Sequence, residues 1–514
     1  MRRSRLLGRR STAGVRPRLL LITPPYHSGV VEAAGVWLPL HFVYLAGHAR
    51  AAGAEVRIYD AMSLQDGHAD IAREISDWRP DIVGVTAITA MEPDAREVCR
   101  TAKRIDPAIL TVAGNVHPTF CWRQLLDDEP AVDVVVRGEG ESTIGELIGA
   151  ASAGTDLCAV PGLAYRRDGV PVSTPDRPFL SDLDRLQPAW DLVEWPRYFY
   201  RPAPEGRLAI VSSSRGCRQR CSFCSQQKFW QRSWRGRTPE SFVTELELLR
   251  DRHGVRVAML SDETPTLDPV RWQRILDLLI EHRVGVELLL ETRVDDIVRD
   301  EPLLPRYRAA GVSHIYVGVE STDQATLDLY CKDLRVSQSK RAIDLINAHD
   351  MVSETSFVLG TQDETPEKIA ATVELAKWYA PDMAFFLALT PWPYADLYQE
   401  LKDSIAVHDL RRYNLVEPVI KPIGMTVDEV RGALHGATSA FFRDKFHRLG
   451  QLQPAKQRFL LAVLSLLLEH SYLGEAMRGM AGHATMPAEV RALLASLPLT
   501  ETGDALRTAL ELAE

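Results

Sequence analysis

The chain has 514 residues, 25% charged and 46% hydrophobic, an ordinary globular composition with length for roughly two to four domains, each with its own core. A net charge of −9 gives no broad positive field, which argues against nucleic acid or a membrane surface as partner. The seven cysteines form no paired framework, since Cys99, Cys121, Cys158 and Cys331 are isolated and the other three fall together; this usage points to a reducing compartment, the cytoplasm.

Residues 1–17 are arginine-rich and lack the apolar run of a signal peptide, so they read as a disordered basic tail. From 18 to 150, short apolar strands alternate with amphipathic helices: strands at Leu19–Ile22, Glu55–Tyr59, Ile82–Thr86, Leu110–Ala113 and Val132–Val136, helices at Leu40–Ala52, Ile71–Trp78 and Asp94–Ile105. That rhythm predicts an α/β, doubly wound, Rossmann-like domain suited to a nucleotide or larger cofactor. Residues 151–206 are proline-rich without Gly/Ser runs and read as a structured crossing segment. Alternation resumes over 207–414, with strands at Leu208–Ser213, Val257–Ser261, Val286–Glu291, Ile315–Gly318, Glu354–Leu359 and Met383–Leu389. Thr238-Pro239 and Thr365-Pro366 supply an N-cap hydroxyl followed by proline at the first helical position. Six β/α units predict a partial (β/α)6 barrel with its functional loops at the C-terminal strand ends. Residues 415–514 read as a helical domain, and the apolar run at 459–468 is too short to span a bilayer.

Cys217, Cys221 and Cys224 have the spacing C-x3-C-x2-C and lie just past a barrel strand. Three thiolates on one loop can hold three irons of a [4Fe–4S] cube and leave the fourth iron open. A structural zinc would need a fourth ligand, and no second cysteine pair supplies one.

With Phe223 before the last cysteine, this loop resembles the signature of the radical S-adenosylmethionine (SAM) superfamily. The resemblance implies that SAM is chelated at the open iron and cleaved by one electron, with Glu263, Arg293, Glu320, Ser321 and Gly360 at the strand ends contacting SAM. A doubly wound domain ahead of such a barrel is similar to the cobalamin-binding subgroup. That resemblance places cobalamin near Tyr26, His27, Thr86, Thr89, Gly114, His117, Gly138, Glu139 and Gly140. The segment after the first strand lacks D-x-H-x-x-G, so a cobalamin without a histidine axial ligand is expected, with His27 and His117 as structural residues.

Tyr26-His27-Ser28-Gly29, the run from Arg137 to Glu141, Cys224-Ser225-Gln226 with Lys228-Phe229-Trp230, and Thr390-Pro391-Trp392-Pro393 resemble the anaerobic magnesium-protoporphyrin IX monomethyl ester cyclase family over residues 18–445. The same branch includes C-methyltransferases of antibiotic pathways, among them aminocoumarin pyrrole methyltransferases. The expectation is a C-methyltransferase acting on an unactivated or pyrrole-like carbon of a small or carrier-bound metabolite. It would draw electrons from a flavodoxin or ferredoxin, and Trp392 and Tyr394 would meet the substrate. The alternative within the branch is oxidative cyclisation of a magnesium porphyrin. A redox sensor is the reading from another class, disfavoured by two cofactor domains and a substrate-sized C-terminal segment.

Overall fold

The computed structural model describes residues 16–26, 35–200, 202–454 and, beyond these, 456, 457, 459–461 and 463. His27, residues 1–15 of the expected tail at 1–17 and residues 464–514 of the expected helical domain at 415–514 lie outside them.

The first sheet comprises β1 (Arg18–Thr23), β2 (Glu55–Asp60), β3 (Ile82–Thr86), β4 (Leu110–Gly114), β5 (Val134–Val136), β6 (Leu163–Arg167) and β7 (Val170–Ser173). Their spatial order is β2-β1-β3-β4-β5-β6-β7, with β1 to β5 parallel and β6 and β7 added antiparallel. Strand alternation divides the core. Leu19 and Leu21 face helices α1 (Leu40–Ala51) and α5 (Glu141–Ala153). Leu20 and Ile22 face α2 (His68–Trp78), α3 (Glu92–Ile105) and α4 (Val116–Asp128). Strand order reverses between β1 and β3, so a crevice opens beyond their C-terminal ends. The proline-rich segment is structured, and it extends this sheet past residue 150 by two strands.

The second sheet has the order β16-β15-β14-β13-β12-β9-β8. Its strands are β8 (Phe199–Tyr200), β9 (Ala203–Val211), β12 (Val255–Leu260), β13 (Glu287–Thr292), β14 (Val312–Glu320), β15 (Val352–Leu359) and β16 (Met383–Ala388). All but the edge strand β8 run parallel, which gives the six-stranded partial barrel that the alternation predicts. Between β9 and β12 stands a small antiparallel hairpin, β10 (Ser214–Gly216) with β11 (Trp234–Gly236). Thr238 and Thr365 cap their helices, α6 (Pro239–His253) and α7 (Pro366–Tyr379), through side-chain bonds from the Ser241 and Lys368 amides. Helix α8 (Val427–His447) packs on α7 and β16. Among the described residues no helix is long and apolar enough to cross a membrane.

Candidate active site

The three clustered cysteines lie on the loop 217–233, whose two ends are joined by the β10–β11 hairpin. Gly216 precedes Cys217 at φ +98°, and a Cβ there would lie 2.2 Å from the Ser233 carbonyl oxygen, so only glycine lets the hairpin close. The loop is held from the barrel side. The Ser222 amide and hydroxyl donate to the carbonyls of Tyr330 (2.9 Å) and Leu329 (3.0 Å), and Phe223 meets the Tyr330 ring edge-on. Burial pushes all three thiols up, Cys224 to about 12, against the pull of Lys332 and, at Cys217 and Cys221, of Arg293.

Among the described residues no three His, Cys, Asp or Glu side chains converge as a single metal ion would need. A cube takes one thiolate at each of three separate irons. Three soft donors on one loop, with two buried cations facing them, fit a cluster whose thiolate charge must be balanced away from water.

The expected SAM residues collect around this loop in part. Glu263, after β12, accepts from the Gly216 amide at 2.9 Å and from the Trp230 indole. Arg293, after β13, is 7% exposed and donates to the Lys332 carbonyl and to Asp295. Glu320 ends β14 at a register shift with φ +65°, a left-handed conformation costly for a side-chain-bearing residue. Its carboxylate takes Lys332 Nζ at 2.7 Å and the Ser356 hydroxyl at 3.2 Å. Ser321 accepts from the Asp323 amide, and the Gly360 amide donates to Glu364 at 2.8 Å. Lys332 went unnoticed in the sequence, because an isolated lysine carries no signal until β14 and the cysteine loop bring it between them.

One rung deeper, Glu291 faces the inside of the barrel beside Tyr316, its register partner, with Glu354 on the strand beyond. Its side chain is exposed along the open face of the barrel, where water screens part of the effect; the surrounding protein first, then the charges of Glu354, Glu263 and Glu320, push its carboxyl from 4.5 up to about 7. The folded state then holds a proton that the unfolded chain releases, so stability falls as pH rises from about 4.5 to about 7 and levels above that. Glu291→Gln should remove this contribution. The ligand-free variant melts above wild type at pH 8 and level with it at pH 4.5; equal offsets at both values would refute the assignment.

A cavity of about 560 Å³ joins the strand ends of the first sheet to the barrel mouth. Of the expected cobalamin residues, Thr86, Thr89, Gly114, Gly138, Glu139 and Gly140 line it, as do Trp392, Tyr394 and Glu263 from the barrel side. Gly138 turns at φ +73° with open space around it, a backbone that a large flat ligand can approach. Apolar side chains from β1, β4, β5 and α1 make one wall, a surface at these strand ends that suits one face of a large flat ring such as a corrin, the rest of which would extend beyond the cavity. His117 stands behind the wall, 4% exposed, with Nδ1 3.2 Å from the Thr89 hydroxyl; burial lowers it to about 4, and it stays neutral. His41 also lines the cavity, with its side chain exposed to it, and the protein around it lowers its imidazole to about 4 against the opposing pull of Glu141. Tyr394 lines the cavity with one ring face against Phe120 and its hydroxyl 2.9 Å from that of Thr89. Trp392 remains at the rim. Glu139 lines the cavity, but its carboxylate is taken by Arg215, Arg235 and the Leu180 amide.

Comparison with known proteins agrees with this geometry. Residues 26–148 match the B12 binding domain family and residues 211–376 the radical SAM superfamily. The anaerobic magnesium-protoporphyrin IX monomethyl ester cyclase of Rubrivivax gelatinosus is 39% identical over 88% of this chain and 83% of its own length. An uncharacterized methyltransferase of Pyrococcus horikoshii is 31% identical over 83% of this chain and 92% of its own. The radical SAM methyltransferase TsrM from Kitasatospora setae, solved with cobalamin and a [4Fe–4S] cluster, superposes with a TM-score of 0.65 at 18% identity, covering 86% of this chain and 90% of that one. A B12-binding domain joined to a radical SAM barrel, aligned along most of its length with these relatives, makes the chain a member of the cobalamin-binding radical SAM family that includes the anaerobic magnesium-protoporphyrin IX monomethyl ester cyclases.

Proposed function

We propose that the protein is a C-methyltransferase that moves a methyl group from SAM, by way of cobalamin, to an unactivated or pyrrole-like carbon of a small or carrier-bound metabolite. The supporting observation is the single cavity shared by the corrin-side strand ends and the barrel mouth, which lets one substrate reach both cofactors. When bound, the cluster supplies an electron to SAM, SAM supplies the hydrogen-abstracting radical and the methyl group, and cobalamin carries that methyl. The chain's own residues do the rest. Arg293 and Lys332 balance the thiolate charge, and Glu263 and Glu320 present carboxylates at the strand ends where SAM's amino and ribose groups would sit. Tyr394, locked between Phe120 and Thr89, closes the cavity wall and excludes water. The electron comes from an external one-electron donor of the flavodoxin or ferredoxin class.

Identity of 39% with the cyclase favours a second reading, oxidative ring formation on a magnesium porphyrin. One assay separates the two: the reconstituted, cobalamin-loaded enzyme is supplied anaerobically with reductant, CD3-labelled SAM, and candidate pyrroles or magnesium-protoporphyrin monomethyl ester. Methyl transfer puts the label in the product. An oxidised, unlabelled porphyrin would replace our proposal with the cyclase.

A further inference from the structure

The glycine-rich turn after β5, Arg137-Gly138-Glu139-Gly140-Glu141, looks from sequence like a cradle for the corrin. Its glycines line the cavity together with Glu139 and Glu141, whose carboxylates are engaged by arginines of the β10–β11 hairpin. Arg215 on β10 and Arg235 on β11 are directly paired across the hairpin. Arg215 donates to Glu139 Oε1 at 2.9 Å, and Arg235 donates to Glu139 Oε2 at 3.0 Å. One carboxylate of the first domain therefore holds both ends of the loop that carries the three cysteines. The grip is sheltered, with the Glu139 side chain 5% exposed and those of Arg215 and Arg235 11% and 14%. Glu141 adds a second bond to Arg215 at 2.7 Å, and the rings of Tyr44 beneath Arg215, and of Phe179 and Trp230 beside Arg235, fix the planes of the guanidinium groups. Arg215 lies two residues before Cys217, so this grip holds the loop's base from the first domain, while from the barrel side Glu263 and Thr264 bind Gly216 and Asp262 binds the Ser214 hydroxyl.

We infer that Glu139 is a positioning residue that ties the cysteine loop to the wall of the corrin cavity, so that filling the cavity orders the loop. This rests on the cofactor assignment above. Gly138 and Gly140 flank Glu139 and would meet the corrin through their backbone, while the Glu139 carboxylate, at the same wall, is bonded to the loop's two arginines. A ligand that stills the turn then stills the carboxylate, and with it both arginines. Each guanidinium gives Glu139 one sheltered, charge-assisted bond, one to each carboxylate oxygen, and the two together fix the carboxylate between the two strands of the hairpin.

The test is amide hydrogen exchange across residues 217–233 in the full-length protein carrying its cluster, with and without hydroxocobalamin. Wild type, Glu139→Gln and Arg235→Gln are compared after absorbance has recorded cobalamin uptake in each. Hydroxocobalamin should slow exchange in the wild-type loop by about tenfold or more. Glu139→Gln should take up cobalamin but lose most of that response. Arg235→Gln, which leaves the cavity wall intact, should lose it selectively toward residue 233 and keep it near Cys217; it also serves if Glu139→Gln folds poorly. A wild-type loop indifferent to hydroxocobalamin, or variants that respond as wild type does, would overturn the inference. A wild-type protein that takes up no cobalamin would overturn the cofactor assignment itself, and the absorbance step shows that before any exchange is read.

Discussion

Cys217→Ala abolishes formation of 5′-deoxyadenosine and leaves a protein that does not hold its iron through reconstitution. The expected loss exceeds the roughly 100-fold that removal of an outer-shell partner costs a metal site, because an iron of the cube would lack its only protein ligand. The surroundings explain why no neighbour compensates. Cys221 and Cys224 are buried or nearly so, and Phe223 is fixed against Tyr330, so the loop cannot slide another thiol into place. Arg293 and Lys332 would also be left facing less negative charge, which further weakens the loop. Cys158→Ala is the control, since Cys158 is exposed on a short helical turn of the crossing segment and should leave iron content and SAM cleavage unchanged. Iron and sulfide analysis with quantification of 5′-deoxyadenosine checks both. A Cys217→Ala protein that still cleaved SAM would remove the cysteine loop from the mechanism.

The cysteine loop was legible because its chemistry is local, three ligands within eight residues after a strand. Strands β1, β3 and β5 were legible because both faces are buried and each reads as a nearly continuous apolar run, and β3 begins and ends where that run does. The N-caps at Thr238 and Thr365 were legible for the same local reason. β6 and β7 were hidden by proline. Pro171 lies within β7, where an edge position spares the missing amide, so a segment that reads as a crossing in fact completes a sheet. The charged partners were hidden by distance along the chain. Arg215 and Glu139 are 76 residues apart and each alone looks like a solvated surface charge, and only the docking of the two sheets brings them together. The neighbours of Tyr394 were hidden for the same reason: Phe120, supplied by α4 of the other domain, lies against one face of its ring.

That buried ion cluster gives the largest expected effect on stability. Arg215→Met strips Glu141 of its guanidinium and Glu139 of one of two, inside a junction where the three side chains are 11%, 7% and 5% exposed. Removing one member of such a buried group costs about 3–5 kcal/mol, because the remaining carboxylate stays desolvated without its charge partner. For a domain of this size that lowers the first calorimetric transition by roughly 10 °C. Burial alone would raise the Glu141 carboxyl above 4.5; the charge and hydrogen bond of Arg215 outweigh it and hold the group below. The native state therefore binds fewer protons than the unfolded chain in that range, so the contribution is complete above pH 4.5 and fades as pH falls through the depressed value. Arg215→Met should accordingly destabilise strongly at pH 7 and much less near pH 3. The paired change Arg215→Met with Glu141→Met should recover much of the loss at pH 7, since two apolar side chains leave Glu139 with Arg235 and no orphaned charge. A single variant as stable as wild type, or a double variant that falls by the sum of its parts, would mean that the two sheets dock without help from these charges.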